Sequence, residues 1–179
     1  DRSPAHRDMI RPADAQDLAA VQAIYADAVL HGTASFEVDP PDLAEMTRRW
    51  DAVCAANLPY VVADRDGQIA GYAYAARYRP RPAYRFTVEC SVYVDPGFFG
   101  HGLGSALLAE VIAGAGAAGY RQMLAVIGDG GNIASRRLHA SLGFREVGTF
   151  EAVGFKHGRW LDTVLMQRAL GDGSKTDPS

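Results

Sequence analysis

Residues 92–108 read VYVDPGFFGHGLGSALL, and this stretch predicts a strand, a glycine-rich turn and a helix in immediate succession. The β-branched and aromatic run 92–94 is typical of a strand, and Pro96 ends it. Apolar residues then recur at helical spacing from Ala106 to Ile112. Glycine at positions 100, 102 and 104 leaves the turn almost bare of side chains. Successive backbone N–H groups can therefore point at one acidic ligand, where the helix macrodipole is positive.

The spacing of these glycines distinguishes between kinds of phosphate loop. A P-loop requires Gly-Lys-Ser or Gly-Lys-Thr, and the chain contains neither tripeptide. A dinucleotide fingerprint requires G-x-G-x-x-G, but counting from Gly102 and Gly104 places Leu107 where the third glycine should be. That motif also belongs near the start of an alternating βαβ fold, whereas this turn lies near the middle of the chain. Two interpretations remain: a different kind of anion site, or a glycine-rich turn without a ligand.

Composition narrows the class of protein. The chain has 179 residues, 48% hydrophobic and 22% charged, which is ordinary for one globular domain with a substantial core. A formal net charge of -3 and the lack of a Lys/Arg run give no electrostatic footprint for nucleic acid. The sequence shows neither a long apolar run nor a signal peptide. We therefore expect a soluble, cytoplasmic protein without a nucleic-acid or membrane partner.

Cysteine and histidine form no recognisable metal or disulfide pattern. Cys54 and Cys90 are far apart in sequence, and their contexts predict that both are buried, which argues against a disulfide framework. The five histidines show neither H-E-x-x-H nor any pairing with cysteine. We therefore expect no metal site.

The periodicity of the chain predicts one domain over residues 9–170, with disordered ends at residues 1–8 and 171–179. Asp14 is a plausible N-cap for a first helix that ends at Gly32, and a second helix follows two prolines. Asp66-Gly67 between two apolar runs is typical of a hairpin turn and predicts the start of an antiparallel meander.

The strand that leads into the glycine turn has one apolar and one polar face. Its polar face carries Thr87, Glu89, Ser91 and Tyr93. The preceding loop places Arg79 and Arg81 among tyrosines, where the two guanidiniums are either solvated or hold a substrate carboxylate by bidentate pairing. Phe36 stands alone in a polar linker, where it either packs on the core or lines a pocket.

Residues 132–144 read NIASRRLHASLGF, an Asn-led helix that ends in Gly-Phe. Together with the turn pattern x-x-G-x-G-x-G and the order strand, turn, helix, strand, Asn-led helix, strand, this segment resembles the GNAT superfamily of N-acyltransferases. The resemblance extends over nearly the whole of residues 9–170. It implies an α+β fold, the GNAT fold, with a central mixed, mostly antiparallel seven-stranded sheet flanked by about four helices.

Six short stretches are together similar to the phosphinothricin and methionine sulfoximine N-acetyltransferases within that superfamily. They are residues 33–37, 81–84, 87–89, 91–94, 138–139 and 154–158. This similarity implies direct transfer of an acetyl group from acetyl-CoA to the α-amino group of a small amino acid or analogue of the phosphinothricin, methionine sulfoximine or methionine sulfone type. It also implies a homodimer with the acceptor site near the interface.

The resemblance assigns roles to particular residues. Glu89 is expected to be the base, directly or through water, and His139, two helical turns after Asn132, the acid that protonates the thiolate. The candidate cofactor-binding residues are Val92, Tyr93, Val94, Gly100, His101, Gly102, Leu103, Gly104, Ser105, Asn132 and Ser141. The candidate acceptor-binding residues are Phe36, Arg79, Arg81, Tyr84, Thr87, Glu89 and Tyr93, with Arg81 as the preferred partner of the substrate carboxylate.

Two positions depart from the pattern of the superfamily. Phe99 stands where Gln or Arg is usual, which removes a side-chain contact to the pyrophosphate and leaves the backbone N–H groups. His139 stands where many members have a tyrosine, although the phosphinothricin subgroup is similar to this chain in having histidine. The alternatives are a GNAT enzyme for another amine, such as a protein N-terminus or a polyamine, and a non-catalytic acyl-CoA-binding module. The arginines at positions 79 and 81 argue against a polyamine.

Overall fold

The computed structural model describes residues 8–179, and over this range it contains seven strands and four α-helices. The strands are β1 Asp8–Pro12, β2 Tyr60–Arg65, β3 Gln68–Arg77, β4 Thr87–Val94, β5 Gln122–Gly128, β6 Arg145–Lys156 and β7 Arg159–Ala169. The helices are α1 Leu18–His31, α2 Leu43–Ala55, α3 Leu103–Ala117 and α4 Ile133–Ser141. The predicted α+β architecture is confirmed.

The strands form one sheet in the order β1-β2-β3-β4-β5-β7-β6. Every neighbouring pair is antiparallel except β4 and β5, which are parallel, so the predicted mixed, mostly antiparallel sheet is confirmed. The parallel pair is short: its register runs only from Thr87↔Gln122 to Glu89↔Leu124. The remainder of β4 and β5 lies beyond this paired segment.

The predicted helix starts have a physical basis in side-chain caps. The Asp14 carboxylate accepts a hydrogen bond from the Gln16 N–H at 2.8 Å and begins a 3-10 turn that continues into α1. Asp42 caps α2 in the same way, with its carboxylate 2.8 Å from the Glu45 N–H. Because these caps satisfy N–H groups that lack an intrahelical partner, they fix where each helix begins.

The helices cover opposite faces of the sheet around β3 and β4. Tyr25 of α1 packs edge-on against Tyr93 of β4, with ring centroids 5.1 Å apart. On the other face, the Leu107 side chain of α3 lies so close to Gly71 of β3 that a Cβ there would be 3.1 Å from it. Val88 and Cys90 of β4 are buried on the apolar face, as the alternation of the strand predicts. Within residues 8–179, no helix combines the length and the apolar run that a bilayer-spanning segment needs.

Both ends of the described chain contact the sheet or its connections. Asp8, predicted to be disordered, lies in β1 and forms an ion pair with Arg65, while the other residues of the predicted N-terminal end, 1–7, lie outside the described range. At the other end, the Arg121 guanidinium donates to the carbonyl of Gly173 at 2.8 Å and to that of Asp177 at 3.2 Å. The tail for which we predict disorder, residues 171–179, thus contacts Arg121, and its disorder stays a prediction. A polar composition gives no indication that one internal arginine satisfies several carbonyl groups of the tail.

Candidate active site

A small pocket lies where β4 and β5 cease to pair. It has a volume of about 60 Å³, and its walls come from β4, β5, the linker after α1, and α4. The lining residues are Ala34, Cys90, Ser91, Val92, Tyr93, Ala125, Val126, Ile127, Gly128, Asn132, Ser135 and His139. The end of the β4–β5 register at Glu89 and Leu124 is what opens this space, because strands that stayed in register would close it with hydrogen bonds.

The glycine turn after β4 leads directly into the N-terminus of α3. Gly100 and Gly102 have φ of +82° and +74°, a left-handed conformation that glycine adopts without strain. Gly102 is the N-cap of α3 and provides no side-chain cap, so the first N–H groups of the helix remain available to a ligand. At Gly104 a Cβ would lie 3.3 Å from Leu138, which explains how the first turn of α3 approaches α4 so closely. The geometry suits an anionic ligand.

The residues of the glycine turn that are predicted to bind the cofactor differ in their exposure to solvent. His101 is exposed, Ser105 is half-buried in the first turn of α3, and Leu103 is only 3% exposed. Leu103 can therefore contact a ligand only through its backbone N–H. Phe99 is 64% exposed, so its ring contributes little to packing in this protein.

Glu89 lies on the polar face of β4, opposite Ala76 of β3. Its carboxylate is half-buried, and this burial raises its pKa, while the positive charge of Arg79 acts in the opposite direction. Thr87 and Ser91 lie on the same face, two residues to either side. The predicted base is therefore held in a partly desolvated position on a strand rather than on a flexible loop.

Tyr93 belongs to a layer of aromatic rings next to Glu89. Its ring stacks on Tyr72 at a centroid distance of 5.5 Å and contacts the edge of Tyr25. Burial raises the pKa of Tyr93, so its hydroxyl stays protonated at neutral pH. The Tyr25 hydroxyl in turn lies 2.8 Å from the Ser35 hydroxyl, which ties the linker after α1 to this aromatic layer.

Phe36 and its linker are held by the ends of β5 and β6. The Phe36 ring covers Gly154 and Gly128 so closely that a Cβ at either glycine would clash with it. Lys156 is 5% exposed, and its ammonium donates to the Ser35 carbonyl at 2.8 Å. Phe36 itself is 38% exposed, so it both packs on the sheet and presents a surface to solvent. Lys156 is not among the site residues predicted from the sequence. The sequence indicated it only as a member of the stretch 154–158.

The loop between β3 and β4 holds Arg79 and Arg81 in different surroundings. The Arg79 guanidinium lies 5.0 Å from the centre of the Tyr78 ring, and the Tyr84 ring meets Tyr78 edge-on at 5.5 Å. Arg79 is also the residue whose charge acts on Glu89. Arg81 is exposed, and its side chain makes no hydrogen bond or ion pair within residues 8–179. Arg79 is therefore the arginine of this loop whose charge acts on Glu89, whereas Arg81 is left without a partner within residues 8–179.

His139 lines the pocket from α4 and is 6% exposed. Its Nδ1 lies 2.7 Å from the Ser135 carbonyl oxygen, and its Nε2 lies 3.7 Å from the Cys90 sulfur. The edge of its ring meets Phe144 at 5.1 Å. Burial lowers the pKa of His139, which favours the neutral ring at neutral pH. Cys90 was not among the predicted site residues, because a cysteine in an apolar strand face resembles an ordinary core residue.

The two remaining cofactor candidates of α4 differ in position. Asn132 lines the pocket, and its side-chain oxygen accepts the Ser135 N–H at 3.2 Å as the cap of the helix. This leaves its amide NH₂ group unpaired within residues 8–179. Ser141 is exposed, does not line the pocket, and donates its hydroxyl to the Leu138 carbonyl at 2.7 Å.

Cys54 is exposed on α2, so the predicted burial of that cysteine is wrong.

Comparison with known proteins points to one family. Residues 20–144 match the acetyltransferase (GNAT) family. A phosphinothricin N-acetyltransferase of Alcaligenes faecalis is 55% identical over 90% of this chain and 82% of its own length. An L-methionine sulfoximine/L-methionine sulfone acetyltransferase of Pseudomonas paraeruginosa is 43% identical over 94% of this chain and 98% of its own length.

A solved structure agrees with these sequence relatives. The crystal structure of a GNAT superfamily phosphinothricin acetyltransferase from Sinorhizobium meliloti in complex with AcCoA superimposes with a TM-score of 0.93. It is 47% identical to this protein and covers 96% of this chain and 93% of its own. The relatives thus share extended sequence identity with this chain. This identity accompanies the seven-stranded sheet, the divergence of β4 and β5 and the glycine turn before α3. The chain belongs to the acetyltransferase (GNAT) family.

Proposed function

We propose that this protein transfers the acetyl group of acetyl-CoA directly to the α-amino group of a small amino acid or amino-acid analogue. The observation that carries the proposal is the opening of the β4–β5 pair directly after Glu89. This opening gives a pocket that His139 lines, while Glu89 lies just before it, at the last paired position of β4 and on the polar face of the strand. The relatives named for phosphinothricin, L-methionine sulfoximine and L-methionine sulfone support the substrate class.

The residues present fit acetyl-CoA. The uncapped N-terminus of α3, with glycines at 100, 102 and 104, suits the pyrophosphate, because it offers N–H groups and no obstructing side chain. The edge of β4 from Val92 to Val94, which β5 leaves unpaired, suits the amides of the pantetheine arm. The free NH₂ group of Asn132 provides a further donor in the pocket. When bound, acetyl-CoA supplies an activated thioester.

We assign three parts of the reaction to side chains and backbone groups of the protein itself. Glu89 accepts a proton from the substrate ammonium, directly or through water, and its raised pKa brings it closer to the operating pH of a general base. Backbone N–H groups of Val92 to Val94 polarise the thioester oxygen. His139 protonates the sulfur of the leaving thiolate, which requires that Nε2 first gain a proton, because the Ser135 carbonyl can only accept and so places the proton of the neutral ring on Nδ1.

The acceptor is held on the polar face of the sheet. We assign the amino-acid carboxylate to the arginines of the β3–β4 loop, with Arg81 as its bidentate partner. The aromatic side chains of Phe36, Tyr84 and Tyr93 flank the acceptor, and Thr87 borders it beside Glu89. The arginine loop next to Glu89 favours an acceptor that carries an anionic group over a polyamine.

We also propose that the protein is cytoplasmic and forms a homodimer with the acceptor site near the interface. Exposed apolar side chains on β6 and β7 support an interface: Phe150, Phe155 and Trp160 are 57%, 59% and 67% exposed. Isolated large apolar residues are common on surfaces, but a cluster on one ribbon is typical of a contact region. Light scattering at micromolar concentration is expected to give twice the mass of one chain.

The test of the activity is the release of free thiol from acetyl-CoA, measured with a panel of amines. We expect release with phosphinothricin, L-methionine sulfoximine and L-methionine sulfone, and little release with spermidine or with a peptide N-terminus. Methylamine serves as the control that lacks a carboxylate. Release only with spermidine or the peptide would favour an enzyme for another amine. Tight binding of acetyl-CoA without release for any amine would favour the non-catalytic acyl-CoA-binding module.

A further inference from the structure

The His139 ring is engaged at both of its nitrogens. Nδ1 lies 2.7 Å from a carbonyl oxygen of its own helix, that of Ser135. Nε2 lies 3.7 Å from the sulfur of Cys90, which reaches it from β4. Both Cys90 and His139 are 6% exposed, so bulk water does not provide either nitrogen with an alternative partner.

These contacts determine where the imidazole proton lies. A carbonyl oxygen only accepts hydrogen bonds, so Nδ1 must carry the proton that is donated to Ser135. In the neutral ring Nε2 then has a lone pair and accepts. Burial raises the pKa of Cys90 to about 12, so the sulfur keeps its proton at neutral pH and can donate it to Nε2.

Within the described range, no charged side chain forms a contact with this ring. The walls that face it are Ser135 and Asn132 from α4, Phe144 after α4, and the apolar segment 125–127 of β5, none of which titrates. From β4 the titratable groups in the same pocket are Cys90 and Tyr93. Arg136, one turn before His139 on α4, is paired with Glu146.

We propose that Cys90 is a positioning residue for His139: its thiol donates to Nε2 and holds the imidazole as the neutral tautomer with the proton on Nδ1. This deepens the role given to His139 under the proposed function and rests on it for its catalytic consequence. The hydrogen bond itself is a property of the resting protein and does not depend on the reaction. Because the thiol donor stabilises only the neutral ring, it makes Nε2 harder to protonate.

The hydrogen bond can be tested from both partners without measuring activity. In a Cys54→Ala background Cys90 contributes the only S–H stretching band of the infrared spectrum. Adding His139→Phe removes the acceptor, and we expect the band to move to higher frequency. In Cys90→Ala, nitrogen NMR of the histidine side chains should show the Nε2 resonance of His139 moving downfield, with His139→Phe identifying the signal. Cys54→Ala alone is the matched control and should leave the His139 signals unchanged.

The same samples give the pKa of His139. In Cys90→Ala we expect this pKa to rise by roughly 0.3 to 1 pH unit, the range that corresponds to one hydrogen bond of modest net strength. The proposal would be overturned if the frequency of the S–H band stayed unchanged in His139→Phe, or if the pKa of His139 stayed unchanged in Cys90→Ala. Cys90→Val serves as a second, cavity-filling variant if Cys90→Ala does not fold.

Kinetics separate this inference from the role of His139 in the reaction. If His139 carries the proton to sulfur, the pH dependence of kcat in Cys90→Ala moves in parallel with the pKa measured by NMR, while the KM for acetyl-CoA changes little. A pKa that rises while the kcat profile stays fixed would support the positioning by Cys90 and contradict the catalytic role of His139.

Discussion

The two faces of β4 carry two titratable groups in contrasting environments. Glu89 lies on the polar face, half-buried, with a positive charge from Arg79 acting on it. His139 reaches the other side of the same strand, is almost fully buried, and within residues 8–179 has only uncharged polar partners, namely the Cys90 thiol and the carbonyl and hydroxyl of Ser135. Burial favours the neutral form of both groups, so it raises the pKa of Glu89 and lowers that of His139.

This difference suggests how one strand can serve two proton transfers. A base must be ionised before it reacts, and the nearby arginine partly offsets the effect of burial on Glu89. A general acid must carry a proton before it can donate it, and within residues 8–179 neutral His139 has no charged neighbour that would supply or hold one on Nε2 in the resting protein. We infer that the open face of β4, which carries Glu89, is prepared to accept a proton, whereas His139 on the closed face must take up a proton at Nε2 from solvent before it can protonate the thiolate.

The largest expected effect comes from removing the carboxylate on the open face. Glu89→Gln should lower kcat by about 10²- to 10⁴-fold, the usual contribution of a positioned general base. Turnover is measured by thiol release at saturating amine and acetyl-CoA. Glu110→Gln, an exposed carboxylate on α3, is the control and should retain its activity. A near wild-type rate for Glu89→Gln would remove Glu89 from the chemistry.

Removing the imidazole on the closed face should have a smaller effect. We expect His139→Phe to lower kcat by roughly 10- to 100-fold, because water can deliver the same proton less efficiently. The pH dependence of kcat should lose one ionisation. His31→Phe, which alters an exposed ring at the end of α1, should leave the profile intact. An unaltered pH–rate profile in His139→Phe would mean that His139 has only a packing role.

A smaller effect is expected from removing the positive charge of Arg79, which acts on Glu89 on the open face of β4. In Arg79→Ala the pKa of Glu89 should rise, because a positive charge that lowers it is lost. The acid limb of kcat/KM should then move to higher pH by roughly 0.2 to 0.5 pH unit, since an exposed charge is screened. Arg81→Ala is the comparison. It should leave this limb in place and raise the KM for amino acids but not for simple amines. Equal changes in both variants would contradict the separation of the two arginines.

The smallest expected effect concerns stability. A carboxyl whose pKa is raised by folding binds more protons in the folded state, so its ionisation costs stability as pH rises through its folded pKa. Glu89→Gln should therefore raise Tm at pH 8 by about 1 to 3 °C, given that about 1 kcal/mol moves the Tm of a domain of this size by roughly 2 to 4 °C. Calorimetry at pH 8 and at pH 4 should show the gain vanishing at the lower pH. The same gain at both values would assign it to packing.

The sequence predicted the parts of this protein that depend on local patterns. The cap at Asp14, the turn at Asp66 and Gly67 and the alternation along β4 are visible in the sequence, because each depends on residues only a few positions apart. The glycine turn before α3 also follows from spacing alone, and together with the Asn-led helix and the order of the elements it carries the resemblance to the GNAT superfamily. Local patterns do not indicate that Arg121 contacts the C-terminal tail, because this arginine lies some 50 positions earlier in the chain.

The sequence alone determined that Glu89 lies on the polar face of a strand and that Asn132 and His139 share one face of a helix, because both follow from the period of a single element. Only the tertiary structure decided that β4 and β5 separate after three paired residues and so create a pocket. It also decided that Cys90 meets His139, that Lys156 holds the linker of Phe36, and that Arg79 rather than Arg81 acts on Glu89. These contacts join separate elements, and their geometry depends on how helices and strands pack together rather than on any local pattern.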